Sequence, residues 1–375
     1  MAEHSRSASP TPSTTTPKPP VVQAADTTDG KVPFGQPLTL TVGSGALTKM
    51  SVVDGDGKTV PGTLSADKTS WTSTGLMPPD TTWSWTARAA TGPSATGTAQ
   101  STPATATVRA TANIGSDWTV GVAAPIVVKF GAKVVNKADV QKHLKVMIRP
   151  DGSNGPWKPA QGSWAWLPDN APNSTVHFRT KKYWPAHTQV HVTLPLADLD
   201  WGGGVTGVQN FDWHFNIGRS QIVKADARTH HIVVYRDGKK VAKYPASYGL
   251  DSQLNRNTRS GISIVTEKYK NIVMKSELFH YKLMEHWAVR INNNGEFIHA
   301  NPETVQWQGK ANVSHGCINL STADAKAYFK TAIYGDPVEV TGTRTKLSDS
   351  RTELYDWALS WKQWTAMSAI PVSAS

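Results

Sequence analysis

The 375-residue sequence predicts a mainly β protein, made of two β-sandwich modules, a mainly-β third domain with a short helix, and a Trp-rich C-terminal extension. Two observations lead to this prediction. Charged residues make up only 18% of the chain, while 29 Gly and 24 Pro are spread along it, a composition typical of β-rich modules rather than helical bundles. Short runs that alternate polar and apolar residues also recur between Gly, Asp and Pro turns, as expected of strands.

The first 30 residues are dominated by Pro, Ser and Thr and carry few apolar side chains. Such a segment cannot bury enough surface to offset the entropy of the chain, so we expect residues 1–30 to be a disordered tether. Alternating runs at 38–42 and 82–86 follow, separated by turn residues. These runs predict a first small β-sandwich over residues 31–109.

Residues 110–218 repeat the pattern of short alternating runs and predict a second sandwich. A short helix is expected at 139–144. The strands predicted in this module lie at 119–122, 126–130, 175–179, 189–194 and 211–215. Two consecutive modules of this kind would act as a spacer between the tether and the rest of the chain.

A third domain is expected over residues 219–343. It begins with alternating runs at 221–225 and 231–235, and the Asp-Gly pair at 237–238 predicts a hairpin turn before a strand at 241–247. Later, residues 321–329 start with the capping residues Ser and Thr and continue with helical spacing. A final strand is expected at 335–340.

The last segment, residues 344–375, carries Trp357, Trp361 and Trp364 at a spacing compatible with one face of a helix. An apolar stripe of this kind normally faces a neighbouring part of the protein. We therefore expect the extension to pack on the third domain.

The formal net charge of +11 raises the question of a nucleic-acid partner, because basic surfaces gain affinity by releasing phosphate counterions. The Lys and Arg residues are scattered rather than clustered, so we expect no nucleic-acid partner. A solvated basic surface accounts for the charge, and the functional alternative is attraction to an anionic polymer such as a bacterial wall.

The sequence also bears on membranes and export. No window approaches eighteen consecutive apolar residues, so no transmembrane helix is expected. The first residues are not followed by the apolar region of a signal peptide, which leaves two possibilities: the export signal is absent from the given sequence, or the protein is cytosolic. We expect a monomer.

The single cysteine of the chain, Cys317, lies in the run Ser-His-Gly-Cys-Ile-Asn at 314–319. A lone Cys is most often a small buried apolar residue. Here Gly316 precedes it, and a Gly lets the backbone turn tightly and leaves main-chain N–H groups free to face a bound carbonyl. Ser314 and Asn319 are turn and cap formers, which favours a loop. The run therefore predicts a reactive thiol.

A thiol needs a base, because it is largely protonated at neutral pH. His299 ends a strand-like run at 297–299 and is the candidate to accept the proton of Cys317. His315 is the second candidate and is expected to shape an oxyanion hole formed by the N–H groups of Gly316 and Cys317. Attack on a carbonyl would form a thioester, which a second nucleophile would resolve. These residues alone indicate cysteine acyl transfer.

An upstream His followed by Ser-His-Gly-Cys, an apolar residue and Asn resembles the active-site signature of the L,D-transpeptidases, cysteine enzymes that cross-link peptidoglycan. The residues at matching spacings before His299 resemble the lid-to-catalytic segment of the actinobacterial enzymes; they are Tyr281, Trp287, Ala288, Ile291, Gly295 and Phe297. The two sandwich modules resemble the immunoglobulin-like domains that precede that catalytic domain. The chain departs from the family at Ala300, where many relatives have Ser, and at 274–281, which is short for the lid.

The resemblance implies a donor and an acceptor. The donor would be a peptidoglycan tetrapeptide stem, cut before its terminal D-Ala, and the acceptor would be the side-chain amine of a diamino acid on a neighbouring stem. It further implies carbapenems as covalent inhibitors, a location in the cell envelope or cell wall, and no cofactor or metal. Ala300 would orient His299 through its main-chain carbonyl.

Five further residues are candidates for contact with the substrate. Tyr281 and Met274 are candidates to line the donor cleft and Trp307 to rim it, although ordinary packing is the commoner role for each of them. Ser314 and Asn319 flank the thiol, and Asn319 is expected to fix the loop after it.

Three alternatives remain open from the sequence. An L,D-carboxypeptidase would use the same thioester with water as the acceptor. A non-catalytic wall-binding protein would use some of the 15 Trp as stacking platforms for glycans. A zinc hydrolase could draw on several His residues, but no His-Glu-x-x-His or paired-Cys spacing is present. The candidates for such a zinc site are His230, His231, His280, His286, His299 and His315.

Overall fold

The computed structural model describes residues 18–43, 45–90, 92–169, 172–348 and 354–372. The chain divides into two compact units. The first unit runs to Thr107 and also includes Leu196–Val208. The second comprises Val108–Pro195 and the chain from Gln209 onward. None of the described helices is long and apolar enough to span a membrane.

The first unit contains a β-sandwich. Its strands are β1 (Val22–Ala24), β2 (Pro37–Val42), β3 (Leu47–Val53), β4 (Gly62–Leu64), β5 (Ser70–Leu76), β6 (Thr82–Ala89), β7 (Ala95–Gln100) and β8 (Ala106–Val108). The strands β1 to β7 form one sheet in the order β1-β2-β5-β4 and another in the order β3-β6-β7, whereas β8 lies outside both sheets. Alternate residues of these strands point inward, and Leu38, Leu40, Leu47 and Trp71 are buried in the core.

Part of the predicted tether belongs to this sandwich. Residues 1–17 lie outside the described residues, but β1 pairs antiparallel with β2, with Val22 opposite Val42 and Ala24 opposite Leu40. Val22 and Ala24 also pack on the core of the first unit. Residues 22–24 are therefore a strand and not part of a disordered tether, because two apolar residues at alternate positions are enough to add an edge strand.

The second unit begins with another sandwich. Its elements are β9 (Ala110–Ala112), β10 (Thr119–Val120), β11 (Ile126–Phe130), α1 (Lys137–His143), β12 (Lys145–Pro150), β13 (Lys158–Pro159), β14 (Gly162–Trp166), β15 (Thr175–Thr180), β16 (Thr188–Leu194) and β18 (Phe211–Ile217). Between β16 and β18 the chain forms β17 (Val205–Gly207), which belongs to the first unit. One sheet has the order β10-β18-β16-β12-β13 and the other β14-β15-β11-β9. The strand β17 is in neither of these sheets and pairs with β8. The predicted helix at 139–144 is α1.

The third domain completes the second unit. Its elements are β19 (Gln221–Asp226), β20 (His231–Arg236), β21 (Lys239–Pro245), β22 (Gly261–Ile264), β23 (Glu267–Ser276), β24 (Tyr281–Arg290), β25 (Phe297–Ala300), β26 (Ile318–Leu320), α2 (Thr322–Thr331) and β27 (Pro337–Thr341). The sheets have the orders β21-β20-β19-β27-β22 and β23-β24-β25-β26. Asp237 and Gly238 both have positive φ, as a two-residue hairpin turn of type I′ requires. Ser321 caps α2.

The second sandwich and the third domain share buried polar contacts. The main-chain N–H of Gly121 donates to Tyr334 O at 2.7 Å, and that of Ala123 donates to Gly335 O at 2.8 Å. The Asn113 amide donates to the hydroxyl of Tyr334 at 2.6 Å. Buried polar groups cost free energy unless they are hydrogen-bonded in this way. These contacts explain why the two parts form one compact unit.

The C-terminal extension contains a short 3-10 helix, Asp356–Ala358, and α3 (Trp361–Ala366). We expected it on the third domain, and the 3-10 helix does lie beside β22. The hydrogen bonds of the extension, however, reach the second sandwich: the indole N–H of Trp357 donates to Ala123 O and that of Trp364 to Ser163 O. The Trp stripe packs there because it surrounds the buried guanidinium of Arg179, which lies 4.6–5.3 Å from three Trp rings.

Candidate active site

The sheet of the third domain brings the two halves of the motif together. β25 and β26 are neighbouring parallel strands, and His299 lies opposite Asn319 in their register. Cys317 directly precedes β26, so its side chain is presented beside His299 although 18 residues separate them in the sequence. Cys317 is half-buried and is the only cysteine. Its Sγ lies 3.9 Å from Gly295 O.

The imidazole of His299 is buried, with 3% of the residue exposed. Burial by itself lowers the pKa of His299, but hydrogen bonds with Cys317 and Glu285 and the negative charge of both groups outweigh it and raise the pKa to about 10. An imidazole with a raised pKa keeps a bound proton at neutral pH. His299 is therefore able to accept and hold a proton from the thiol.

The Nδ1–H of His299 has two acceptors. Ala300 O lies 2.9 Å from Nδ1 and Glu285 Oε2 lies 3.0 Å from it. Because Nδ1 is engaged, Nε2 is the ring atom left for the thiol. The main-chain carbonyl of Ala300 thus contacts the ring as expected, and a second acceptor is a carboxylate.

Glu285 was not among the residues selected from the sequence. It lies on β24 and is 9% exposed, beneath the ring of His299. A signal was present: Tyr281 and Glu285 are four residues apart on one strand, so their side chains share a face. Extending the period-two pattern from Tyr281 would have identified Glu285 as a neighbour of the site.

Gly316 produces the turn before the thiol. Its φ is +126°, a backbone conformation that residues with a Cβ rarely adopt. Its carbonyl accepts a 2.8 Å hydrogen bond from the fully buried hydroxyl of Thr258. Its N–H donates to Ser314 Oγ at 3.1 Å and so is not free, contrary to the expectation for an oxyanion hole. Among the described residues, the N–H of Cys317 makes no hydrogen bond.

Ser314 and Asn319 are internal braces of the loop. The Ser314 hydroxyl donates to Cys317 O at 2.6 Å, besides accepting from Gly316. Asn319 is 2% exposed, and its amide donates to Thr304 Oγ1 at 3.2 Å. With these contacts, both side chains hold the loop rather than face a substrate.

His315 lies on the open side of the motif. Its ring packs against Phe279 and Tyr281, with centroid distances of 4.8 and 5.4 Å. Partial burial and the positive charge of Arg256 lower the pKa of His315. Phe279 is a further neighbour that the sequence did not single out.

The β23–β24 hairpin forms one wall of the site. Tyr281, at the start of β24, has a raised pKa because of burial and the charges of Cys317 and Glu285, which places it next to the thiol. Met274 lies on β23 opposite Leu283 and is half-buried. Trp307 is 45% exposed and follows the short 3-10 helix Pro302–Thr304. The turn that joins the two strands is only four residues long, at 277–280.

Among the described residues, the six His considered for a zinc site do not come together as one group of possible metal ligands. His230 pairs with Asn312 and His286 with Asn271, whereas His299 pairs with Glu285. In the described part of the chain, the one group of side chains placed to hold a metal ion comprises His191, Asp212 and His214 of the second sandwich.

Comparisons with known proteins agree with this geometry. Residues 220–340 match the family described as the L,D-transpeptidase catalytic domain, and residues 29–200 match the bacterial Ig domain. L,D-transpeptidase 5 of Mycobacterium tuberculosis (strain ATCC 25618 / H37Rv) is 40% identical over 357 residues, which cover 94% of this chain and 77% of that protein. L,D-transpeptidase 2 of Mycobacterium tuberculosis (strain CDC 1551 / Oshkosh) is 31% identical over 360 residues, covering 92% and 84%.

A solved structure is also similar. The LD transpeptidase LdtMt1, in complex with imipenem, shares 31% identity and a TM-score of 0.51, with 63% of this chain and 99% of that chain covered. This chain thus combines sequence similarity to the L,D-transpeptidases with the expected site, which is a buried His beside a lone thiol in a Ser-His-Gly-Cys loop. The sandwiches precede this site in the chain. The chain belongs to the L,D-transpeptidase family, with immunoglobulin-like sandwiches ahead of a cysteine acyltransferase domain.

Proposed function

We propose that the chain cross-links peptidoglycan by transferring an acyl group from a tetrapeptide stem, through a thioester on Cys317, to the side-chain amine of a neighbouring stem. The observation that carries this proposal is the contact between Cys317 and the buried imidazole of His299, whose pKa is raised to about 10 by Cys317 and Glu285 against the effect of burial. A protonated imidazole beside a thiol is the arrangement that makes a cysteine nucleophilic.

In the first half-reaction, the thiol of Cys317 passes its proton to Nε2 of His299 and the sulfur attacks the carbonyl carbon before the terminal D-Ala. The developing negative charge on the carbonyl oxygen is stabilised by the N–H of Cys317. Gly316 contributes the turn that exposes this N–H, while its own N–H remains bonded to Ser314. His299 returns the proton to the departing amine, D-Ala leaves, and a thioester remains on Cys317.

In the second half-reaction, the acceptor amine attacks the thioester carbonyl. His299 removes a proton from the attacking nitrogen, the C–S bond breaks, and the proton returns to the sulfur of Cys317. The product is a new amide bond between two stems, and the enzyme is regenerated without an added cofactor. A reaction with a covalent intermediate of this kind follows ping-pong kinetics.

Glu285 serves as a positioning residue in this scheme. Its carboxylate accepts from Nδ1 of His299 and, with Ala300 O, fixes the tautomer in which Nε2 faces the thiol. A nearby negative charge also favours the protonated ring. The side chain needs no contact with the substrate to have these effects.

The donor stem would lie along the inner face of the β23–β24 hairpin. Tyr281 and Met274 line this face and Trp307 stands at the rim. We also propose that carbapenems acylate Cys317, because the LD transpeptidase LdtMt1 is known in complex with imipenem. The substrate places the action of the enzyme outside the cytoplasm, in the cell envelope or wall, where it would work as a monomer.

The domain boundaries suggest a different role for each part of the chain. We propose that residues 219–343 perform the chemistry, that the second sandwich supports them, and that residues 1–109 set the reach of the site. A chain that begins at Ala110 should keep its rate of acylation by a carbapenem. Trp201 is buried among residues that cluster with the first unit, so the truncated chain should lose thermal stability rather than rate. Loss of acylation in a truncated chain that is still folded would contradict this division.

An L,D-carboxypeptidase remains the alternative, since only the acceptor differs. Mass spectrometry of the products from a purified disaccharide tetrapeptide distinguishes the candidates. Cross-linked dimers are expected for transfer. Tripeptide alone would indicate hydrolysis, and unchanged substrate would indicate a wall-binding protein.

A further inference from the structure

A second His–carboxylate cluster lies on the outer face of the second sandwich, outside the catalytic domain. His191 on β16 is directly opposite His214 on β18 in the antiparallel register. Asp212 is two residues from His214 on the same strand, and residues at i and i+2 of a strand share a face. The three side chains therefore project together from one sheet.

The side chains of the cluster are already close together. Nε2 of His191 lies 2.6 Å from Asp212 Oδ1. The two imidazole rings are nearly parallel, with an interplanar angle of 11° and centroids 4.2 Å apart. One donor atom from each residue lies within 4.8 Å of the other two. Tetrahedral zinc, with bonds of about 2.0–2.2 Å, needs donors roughly 3.4 Å apart, so small side-chain rotations would suffice.

The cluster is accessible to solvent and has donor atoms available for a metal ion. Asp212 is 63% exposed and His214 is exposed as well. Among the described residues, the ring nitrogens of His214 have no hydrogen-bond partner. Trp157 packs on both imidazoles at 5.4 and 5.5 Å and limits their movement. An unengaged imidazole beside a His–carboxylate pair leaves a donor free for a ligand.

Two imidazoles and one carboxylate are a donor set that suits zinc, with the remaining position open to water or to another ligand. Arg149 stacks on Trp157 and donates to Gln189 through Nε, so its charge is directed away from the three side chains. Asp212 supplies the negative charge.

We propose that His191, Asp212 and His214 form a binding site for one divalent zinc ion on the second sandwich. The site is separate from the catalytic thiol and does not depend on the proposed transpeptidase reaction. Zinc would join β16 to β18 across the outer face of the sheet.

Isothermal titration of the full-length chain with zinc chloride tests this site. The Cys317→Ala background removes the catalytic thiol as a competing ligand. One zinc per chain is expected. His191→Ala and His214→Ala should each weaken binding by at least about tenfold, since each removes one of three ligands.

His187→Ala is the matched control. His187 is an exposed His of the same module that also faces a carboxylate, Asp237, at 3.6 Å, but it is not part of the three-residue cluster. It should leave the zinc affinity unchanged. All variants change exposed or half-exposed side chains, and circular dichroism would confirm that they are folded. Absence of binding up to about 1 mM zinc, or equal binding in His214→Ala, would overturn the proposal.

Discussion

Two clusters of His and carboxylate in this molecule differ mainly in their surroundings. In the catalytic domain, His299 and Glu285 are 3% and 9% exposed, and the ring is held by Ala300 O as well as by the carboxylate. In the second sandwich, Asp212 is 63% exposed and no ring nitrogen of His214 is engaged among the described residues. The same residue types thus occur once in a closed arrangement and once in an open one.

The difference indicates two kinds of chemistry. Burial strengthens the attraction between His299 and its negative neighbours, because there is little water to screen it. The ring therefore has one orientation and a raised pKa, as a catalytic acid–base group needs. The exposed cluster keeps donor atoms available, as an ion-binding site needs. Surroundings rather than residue type decide the role of each His.

The largest effect should come from His299 itself. His299→Ala removes the proton acceptor of Cys317, and we expect acylation by a carbapenem to slow by about 10²–10⁴-fold, the usual contribution of a positioned acid–base group. The loss of absorbance of the carbapenem measures this rate. Near-normal acylation would transfer the role of base to His315.

The carboxylate partner should have a smaller effect. Glu285→Gln keeps the shape of the side chain but removes its charge, and we expect acylation to slow by about 10- to 100-fold. For comparison, neutralising the orienting Asp of a catalytic triad slows catalysis by about 10⁴-fold. The loss is smaller here because Ala300 O still accepts from Nδ1. Glu303→Gln, which changes an exposed carboxylate of the same domain, is the control. Equal rates in the two variants would exclude the positioning role of Glu285.

The pH profile separates positioning from simple structural damage. The pKa of His299 is raised to about 10, so the acid that protonates the leaving nitrogen persists until the pH approaches that value. Acylation should therefore fall on the alkaline side near pH 10. In Glu285→Gln the charge that raises the pKa is lost, and the alkaline fall should move to lower pH. A slower variant with an unmoved profile would mean that Glu285 acts only through stability.

The smallest effect is expected at Ala300. Its main-chain carbonyl accepts from His299 at 2.9 Å, and this contact does not depend on the side chain. Ala300→Ser should therefore change the acylation rate by less than a few-fold. A large gain would show that a hydroxyl at this position orients the imidazole in place of the carbonyl.

The parts of the molecule that sequence could predict depend on local patterns. Alternating residues predicted most of the sandwich strands, and Asp237-Gly238 predicted its hairpin, because turn geometry is set by neighbouring residues. The thiol and His299 were also recognisable, since the run around Cys317 is compact. The contact between Cys317 and His299 still requires β25 and β26 to be neighbouring strands, and the spacing of the motif suggested that they are.

The parts that sequence could not predict depend on contacts between distant residues. Glu285 reaches His299 from the neighbouring strand. Its period-two spacing from Tyr281 marks a shared face, but the pairing of β24 with β25 that brings it to the ring depends on distant residues. The C-terminal Trp stripe surrounds Arg179, about 180 residues earlier, so its partner could not be read from the stripe alone. β1 forms because an edge of β2 is available, although the composition around it favours disorder. The bond from Gly316 N–H to Ser314 likewise depends on the exact shape of the turn.

The most direct test of the catalytic account is the intact mass of the protein after incubation with meropenem. The wild-type chain should gain the mass of one carbapenem, and Cys317→Ala should gain none, because the thiol is the group that is acylated. Peptide mapping should place the adduct on the peptide that contains Cys317. Labelling that persists in Cys317→Ala would contradict the account and show that another side chain is the nucleophile.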